Sequence, residues 1–195
     1  FLMKKLQDLA LIESGSPQFR ISAGPDTAPL YALYGQQEVE SDLFGYISRP
    51  DERKQIRTFD EVCTLSEGDV VFSLISGTSA IVREQHQGFL FTQNYIKIIP
   101  KRGLDSQYLV YLLNEDTSIK KQFLRGLQGS AILKYAVKQV KDLRIPKLPD
   151  LDNQRAIGQV YFYQLKLESL KIHVAKIETQ IMFNKLREEN DKWAN

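Results

Sequence analysis

The chain has 195 residues, 43% hydrophobic and 26% charged, with a formal net charge of +2, enough for one good core plus an appended element. Its one cysteine, Cys63, excludes an internal disulfide and, without a ligand partner at suitable spacing, a metal site; it reads as a small buried thiol. No apolar run reaches the roughly 18 residues that span a bilayer, and Lys4, Lys5 and Asp8 interrupt the N-terminal stretch before a signal-like core develops, so a soluble, cytoplasmic protein is expected.

The first half predicts short strands joined by turn chemistry. Ala10 to Ile12 is a brief apolar run closed by Ser14-Gly15-Ser16-Pro17, and Gly24-Pro25 with Pro29 marks a loop before Tyr31 to Tyr34. Val70 to Ile75 follows the turn signal Glu67-Gly68-Asp69, with Ala80 to Val82 as its hairpin partner across Ser76-Gly77-Thr78-Ser79. Phe89 to Phe91 and Tyr95 to Ile99 are further strand-sized runs, the latter ended by Pro100. From Leu104 the period changes: Leu104, Tyr108, Leu109, Leu112 and Leu113 recur at helical spacing, with Asp105 placed to cap. A second short helix is expected from about Ser118 to Leu127, then a final strand at Leu143 to Ile145 halted by Pro146.

Beyond Pro149 the only glycine is Gly158, and a single long helix is expected. Val160, Leu167, Val174 and Ile181 repeat every seven residues, and Tyr163, Leu170, Ile177 and Asn184 do the same three positions later, the two rows of a coiled-coil seam. A helix of about 40 residues extends about 60 Å, too far to lie wholly on a domain of this size, so its seam needs a partner. Phe162, Leu165 and Ile172 fall off the seam and suit either a docking surface or the chain's own domain. The expected organisation is an α+β domain with a mixed or antiparallel sheet over residues 1–148, then a dimerisation helix over 149–195.

Charge is segregated along the chain. Residues 1–96 carry a net −5, residues 97–147 a net +7 and residues 148–195 none. A basic middle segment is the electrostatic footprint of a phosphate-backbone binder or, equally, a solvated helical face. Catalytic machinery is not apparent: there is no Walker loop, no dinucleotide fingerprint and no nucleophile elbow. His86 and His173 each stand alone and read as surface residues. Pro25-Asp26 with Glu52-Arg53-Lys54 superficially matches a metal-dependent nuclease pattern, but it sits beside Pro50-Asp51 in a charged loop rather than on a core strand.

Taken in order, several motifs resemble one repeat of a type I restriction-modification specificity subunit. They are Ile12-Glu-Ser-Gly15, the Gly-Asp-Val-Val-Phe run at Gly68 to Phe72, Gln-Asn-Tyr-Ile-Lys-Ile-Ile-Pro at Gln93 to Pro100, the helix at Tyr108 to Leu113, Gly129-Ser130, and Arg-Ile-Pro-x-Leu-Pro-x-Leu-x-x-Gln at Arg144 to Gln154 before a long helix. The proline-rich junction into Gln154 and Ile157 is the most specific part. Asn153 departs from the glutamate common in the family, leaving Asp152 to cap the helix. Family members carry two such repeats and this chain holds one. The resemblance therefore implies a homodimer through an antiparallel coil of Val160, Tyr163, Leu167, Leu170, Val174, Ile177, Ile181 and Asn184, reading a bipartite inverted repeat of double-stranded DNA.

Base readout needs donors and acceptors on glycine-containing loops, which points to Ser76, Thr78, Ser79, Arg83, Gln128, Ser130 and Lys134, with Arg20 added by resemblance. Lys101, Arg102, Lys121, Arg125 and Lys138 are expected on phosphates. Gln93 and Asn94 are expected to satisfy backbone groups at a strand edge. The resemblance also implies no catalysis and no cofactor in this chain: S-adenosylmethionine belongs to a partner modification subunit that methylates adenine, with a restriction subunit joining through it. Other readings are a stand-alone DNA-binding regulator of the same fold, a coiled-coil adaptor, and a nuclease built on Asp26, Glu52 and Lys54.

Overall fold

The computed structural model describes residues 3–46, 53–127 and 134–193. A four-stranded antiparallel sheet forms the centre, in the order β2 (Ala10–Ser14), β7 (Tyr95–Pro100), β5 (Val70–Ser73) and β6 (Ser79–Ile81). The β5–β6 hairpin turns at Gly77, whose φ of 72° is left-handed. A side chain there would also run into the Tyr135 ring, 2.7 Å from an added Cβ, so only glycine closes this turn. Two small antiparallel pairs flank the sheet: β1 (Lys4–Lys5) with β8 (Arg144–Ile145), and β3 (Leu30–Ala32) with β4 (Gln55–Arg57).

The helices cover the sheet through its apolar residues. α3 (Ser106–Glu115) starts where Asp105 accepts the Tyr108 amide at 3.0 Å and buries Leu109, Val110, Leu112 and Leu113. α4 (Thr117–Leu127) sends in Ile119 and Phe123, the latter stacked on Phe72 with ring centroids 5.3 Å apart. α5 (Val137–Lys141) packs beside it, the Gln139 amide donating to the Phe123 carbonyl at 3.0 Å.

Three helices were not expected: α5, the short α1 (Leu6–Leu9) and α2 (Gln36–Phe44). α2 escapes an apolar-periodicity reading because its inward face carries Glu38, Ser41 and Asp42 beside Val39 and Leu43. Asp42 is what makes that face tolerable inside. Its carboxylate accepts from the Tyr34 hydroxyl at 2.7 Å and the Arg83 amide at 3.2 Å, and lies 2.8 Å from His86 Nδ1, which sets the Nδ1–H tautomer. Burial and the Asp42 carboxylate hold the Tyr34 hydroxyl well above its ordinary range. His86 is therefore fully buried, contrary to its reading as a surface residue, and Cys63 is exposed rather than buried.

α6 (Leu151–Trp193) is one unbroken helix of 43 residues. Its cap is Asp150, not Asp152: the Asp150 carboxylate accepts the Asn153 amide at 2.9 Å and its side-chain amide at 2.7 Å. Those bonds lower the Asp150 carboxyl below the usual range. Gln154, only 1% exposed, ties the helix start to the domain, donating to the Gly103 and Pro149 carbonyls and accepting the Asp105 amide at 2.9 Å. One turn on, Gly158 lets α6 press against α3 at Gln107. Phe162 and Leu165, each half-buried, then pack on the core, whereas Ile172 is exposed. From Leu170 to Trp193 every residue is exposed, about 36 Å of helix standing clear of the domain.

Candidate nucleic-acid interface

Strand register sorts the expected contact residues. β7 spans about 20 Å, and the β5–β6 turn lies at its Tyr95 end, since Ser73 pairs with Tyr95. The loop after β2 leaves from this same end, with Ser14 opposite Ile96. Three of the expected base-reading residues are thus gathered there, and Arg20 lies on the loop that leaves from it. Arg20 is exposed in a short 3-10 turn, its guanidinium 5.6 Å from the centroid of Phe19, itself 78% exposed. Ser76 is exposed and Thr78 half-buried on the hairpin turn. Lys134 reaches in from the segment before α5 and donates to the Asn94 side-chain oxygen at 2.8 Å, while the adjacent Tyr135 amide donates to Leu74. Asn94 therefore serves a lysine with its side chain as well as the Leu74 amide with its carbonyl.

Ser79 and Arg83 do not join them. Ser79 is buried, its hydroxyl donating to the Val71 carbonyl at 2.9 Å and its backbone bonded in both directions to the Asn114 side chain, so it has nothing left for a base. Arg83 follows Ile81, which pairs with Val70 at the opposite end of the sheet, and its Nε donates to the Asp42 carbonyl at 2.8 Å. Its guanidinium lies over Gly45 at the end of α2, so it helps anchor that helix to the sheet. Gln128 and Ser130 fall outside the described residues.

The expected phosphate contacts are also divided. Lys101 and Arg102 follow β7 at the Arg83 end, where the Lys101 ammonium donates to the Gln7 and Asp8 carbonyls at 3.3 and 3.2 Å, satisfying the end of α1. Lys121 and Arg125 sit one turn apart on the outer face of α4, opposite Ile119 and Phe123, and Lys138 is exposed on the neighbouring α5. These three form the coherent basic surface. Other cations of the basic segment have local work: Lys97 pairs with Glu13 at 3.1 Å, and Lys120 with Glu115 at 2.9 Å.

Between the β5–β6 turn and the rod lies a cleft of about 520 Å³, lined by Ser76, Thr78, Leu124, Tyr135, Tyr161 and Leu165 among others. Burial pushes the Tyr161 hydroxyl up to about 12, with the nearby Glu115 acting in the same direction. Of the nuclease pattern, Asp26 is exposed 4.0 Å from Arg57, Lys54 is exposed, and Glu52 lies outside the described residues. Among the described residues no group of three or more His, Cys, Asp or Glu could hold a metal ion, and no helix is long and apolar enough to cross a membrane. The seam residues Val160, Tyr163, Leu167, Leu170, Val174, Ile177, Ile181 and Asn184 are all exposed on the side of α6 opposite Gln154, Gly158 and Leu165.

Sequence reasoning missed the Tyr34–Asp42–His86 cluster, whose members lie up to 52 residues apart in number yet fix the loop that carries Arg83. The one available signal was Asp42 itself, an acid in line with Val39 and Leu43 on an otherwise polar helix.

Solved structures share this arrangement of domain and helix. The HsdS subunit from Thermoanaerobacter tengcongensis superposes with a TM-score of 0.55 at 17% identity, over 88% of this chain and 38% of that one. A chain from a structure described as the basis of complex assembly and conformational transition of the type I R-M system gives 0.61 at 18% identity, over 93% of this chain and 42% of that one. The chain thus spans about two-fifths of the length of these structures. No curated protein matches it. The family model for the type I restriction modification DNA specificity domain matches residues 36–167, from α2 through the core into the first turns of α6. That match covers most of the chain, and the protein belongs to the type I restriction modification DNA specificity domain family.

Proposed function

We propose that this chain is a sequence-reading subunit of a type I restriction-modification system, each copy reading one half-site and two copies reading an inverted repeat. The family match over 36–167 carries the reading. Arg20, Ser76, Thr78 and Lys134, with Gln128 and Ser130, offer hydrogen-bonding groups to base edges. Lys121, Arg125 and Lys138 hold phosphates and fix register. The bare seam of α6 supports the two-copy arrangement, since seven large apolar side chains in a row face water in a lone chain. Chemistry is left to partners: an adenine methyltransferase subunit that binds S-adenosylmethionine, and a restriction subunit that joins through it.

The test has two arms. Co-expression with an adenine methyltransferase subunit of a type I system should yield a stable complex that methylates one bipartite palindromic sequence, read out by methylation-sensitive sequencing. Fluorescence anisotropy should show duplex affinity that falls steeply with salt. Absence of salt-sensitive DNA binding in the complex would overturn the reading, and DNA binding with no methyltransferase partner would reduce it to a stand-alone regulator.

A further inference from the structure

This inference rests on the DNA-reading function proposed above and adds one positioning residue to it. β1 and β8 pair so that Lys5 stands directly opposite Arg144, two cations side by side on one face. Like charges in that position destabilise an antiparallel pair. Lys5 has a counter-charge, the Asp142 carboxylate 2.6 Å from its ammonium, and that hydrogen bond holds the Asp142 carboxyl below the usual carboxylate range. Arg144 has none: the residue is exposed, and among the described bonds and ion pairs its guanidinium has no acceptor.

The main chain at Arg144 is held from its other edge by α4. The Gln122 side-chain amide donates to the Arg144 carbonyl at 2.9 Å, and the Gln122 side-chain oxygen accepts the Arg144 amide at 2.8 Å. With both groups spent on Gln122, Lys5 and Arg144 form a non-hydrogen-bonded pair, the kind in which facing side chains stand closest. Gln122 thus seats Arg144 between β1 and the helix that carries Lys121 and Arg125. α5 completes the surface. It follows Tyr135, whose amide donates to the Leu74 carbonyl by the β5–β6 turn, ends at Asp142 beside Lys5, and carries Lys138 and Lys141 one turn apart. Its five residues rise about 7.5 Å, two phosphate steps at roughly 3.4 Å of duplex axis each. A row of cations therefore leads from Lys134 through Lys138 and Lys141 to Arg144.

We propose that Arg144 clamps a backbone phosphate of the bound duplex, about three phosphates along one strand from the bases met at the β5–β6 turn. α4, α5 and the β1–β8 edge then grip one continuous stretch of that strand. The acids beside the clamp are committed, Asp142 to the Lys5 ammonium and Asp8 to the Lys5 amide, so an incoming phosphate supplies the acceptor that Arg144 lacks. The planar guanidinium presents paired donors to phosphate oxygens, from a main chain held on both edges, and little order has to be created on binding. Such a contact fixes where the reading turn falls on the duplex and carries no sequence information of its own.

The test uses the full chain in its complex with the methyltransferase subunit, on a duplex carrying the sequence found by methylation-sensitive sequencing and on a random one. Arg144→Gln should weaken both alike with an unchanged urea midpoint, and its deficit should shrink about 3.5-fold between 50 and 200 mM salt, as one lost phosphate contact requires. Arg144→Lys keeps the charge and should keep the parent's salt slope at lower affinity. Replacing phosphates one at a time by neutral methylphosphonates should reveal a position, outside the read bases, that costs the parent affinity and leaves Arg144→Gln unaffected. An Arg144→Gln complex with the parent's salt slope, or a scan with no such position, would overturn the clamp and leave DNA reading intact. A complex with no salt-sensitive DNA binding would overturn both.

Discussion

At Gly158 the rod lies tight against α3, and replacing it inverts the usual effect of filling a helical glycine. An added Cβ would lie 2.6 Å from Gln107 Cβ and 2.8 Å from the Tyr108 backbone nitrogen. On a solvent-facing helix, glycine to alanine gains about 1 kcal/mol. Here the obstructing atoms cannot swing away: the Tyr108 amide is held by the Asp105 cap, and Asp105 is in turn held by Gln154 one turn before the glycine. Forcing a methyl into such a contact costs about 1–3 kcal/mol. The net for Gly158→Ala is a loss of roughly 1 kcal/mol, growing for Gly158→Leu. Urea unfolding followed by circular dichroism, at fixed protein concentration because association adds to apparent stability, measures it. Ala156→Gly, exposed two residues earlier, calibrates ordinary propensity in the same helix and should lose about 1 kcal/mol. A Gly158→Ala variant with a raised urea midpoint and an unchanged slope would refute the close-contact argument.

Three other outcomes follow from the geometry. Asp42→Ala strands the Tyr34 hydroxyl, the Arg83 amide and His86 Nδ1 inside the domain and should cost about 3 kcal/mol, seen as a lowered urea midpoint. Lys121→Ala and Arg125→Ala should each weaken binding to specific and random duplexes alike and lower the slope of log affinity against log salt by about one, measured by anisotropy across a salt series. Tyr161 has its hydroxyl pushed up to about 12, so its neutral form is favoured in the fold. That contribution is complete below the ordinary tyrosine value near 10 and is lost as pH climbs towards 12. Tyr161→Phe should therefore lose less stability than the parent between pH 10 and 12, in thermal melts compared at each pH.

The parts of the molecule legible in the sequence are those whose stabilising partners are near in the chain. The β5–β6 hairpin is set by its own turn, α3 by the Asp105 cap three residues from the amide it accepts, and α6 by a seven-residue repeat that needs no knowledge of the rest. α2 and His86 were missed for the opposite reason. Asp42 and His86 are buried by one another across 44 residues, and a buried polar pair looks, residue by residue, like two surface positions. The same holds for Ser79, whose hydroxyl reads as turn chemistry until Val71 and Asn114 are seen to consume it.

Charge counted along the chain overstates the surface it makes, and this bears on which lysines to mutate. The segment 97–147 carries a net +7, yet Lys97 neutralises Glu13, Lys120 neutralises Glu115, and Lys101 closes the carbonyl end of α1. Substituting Lys97 or Lys101 would disturb the domain and weaken DNA binding indirectly, a result easily mistaken for a lost phosphate contact. Lys121, Arg125 and Lys138 project from the outer faces of two packed helices without such duties among the described bonds and ion pairs. They are the positions where a change in salt dependence, unaccompanied by a change in the urea midpoint, isolates the electrostatic footprint from the fold that carries it.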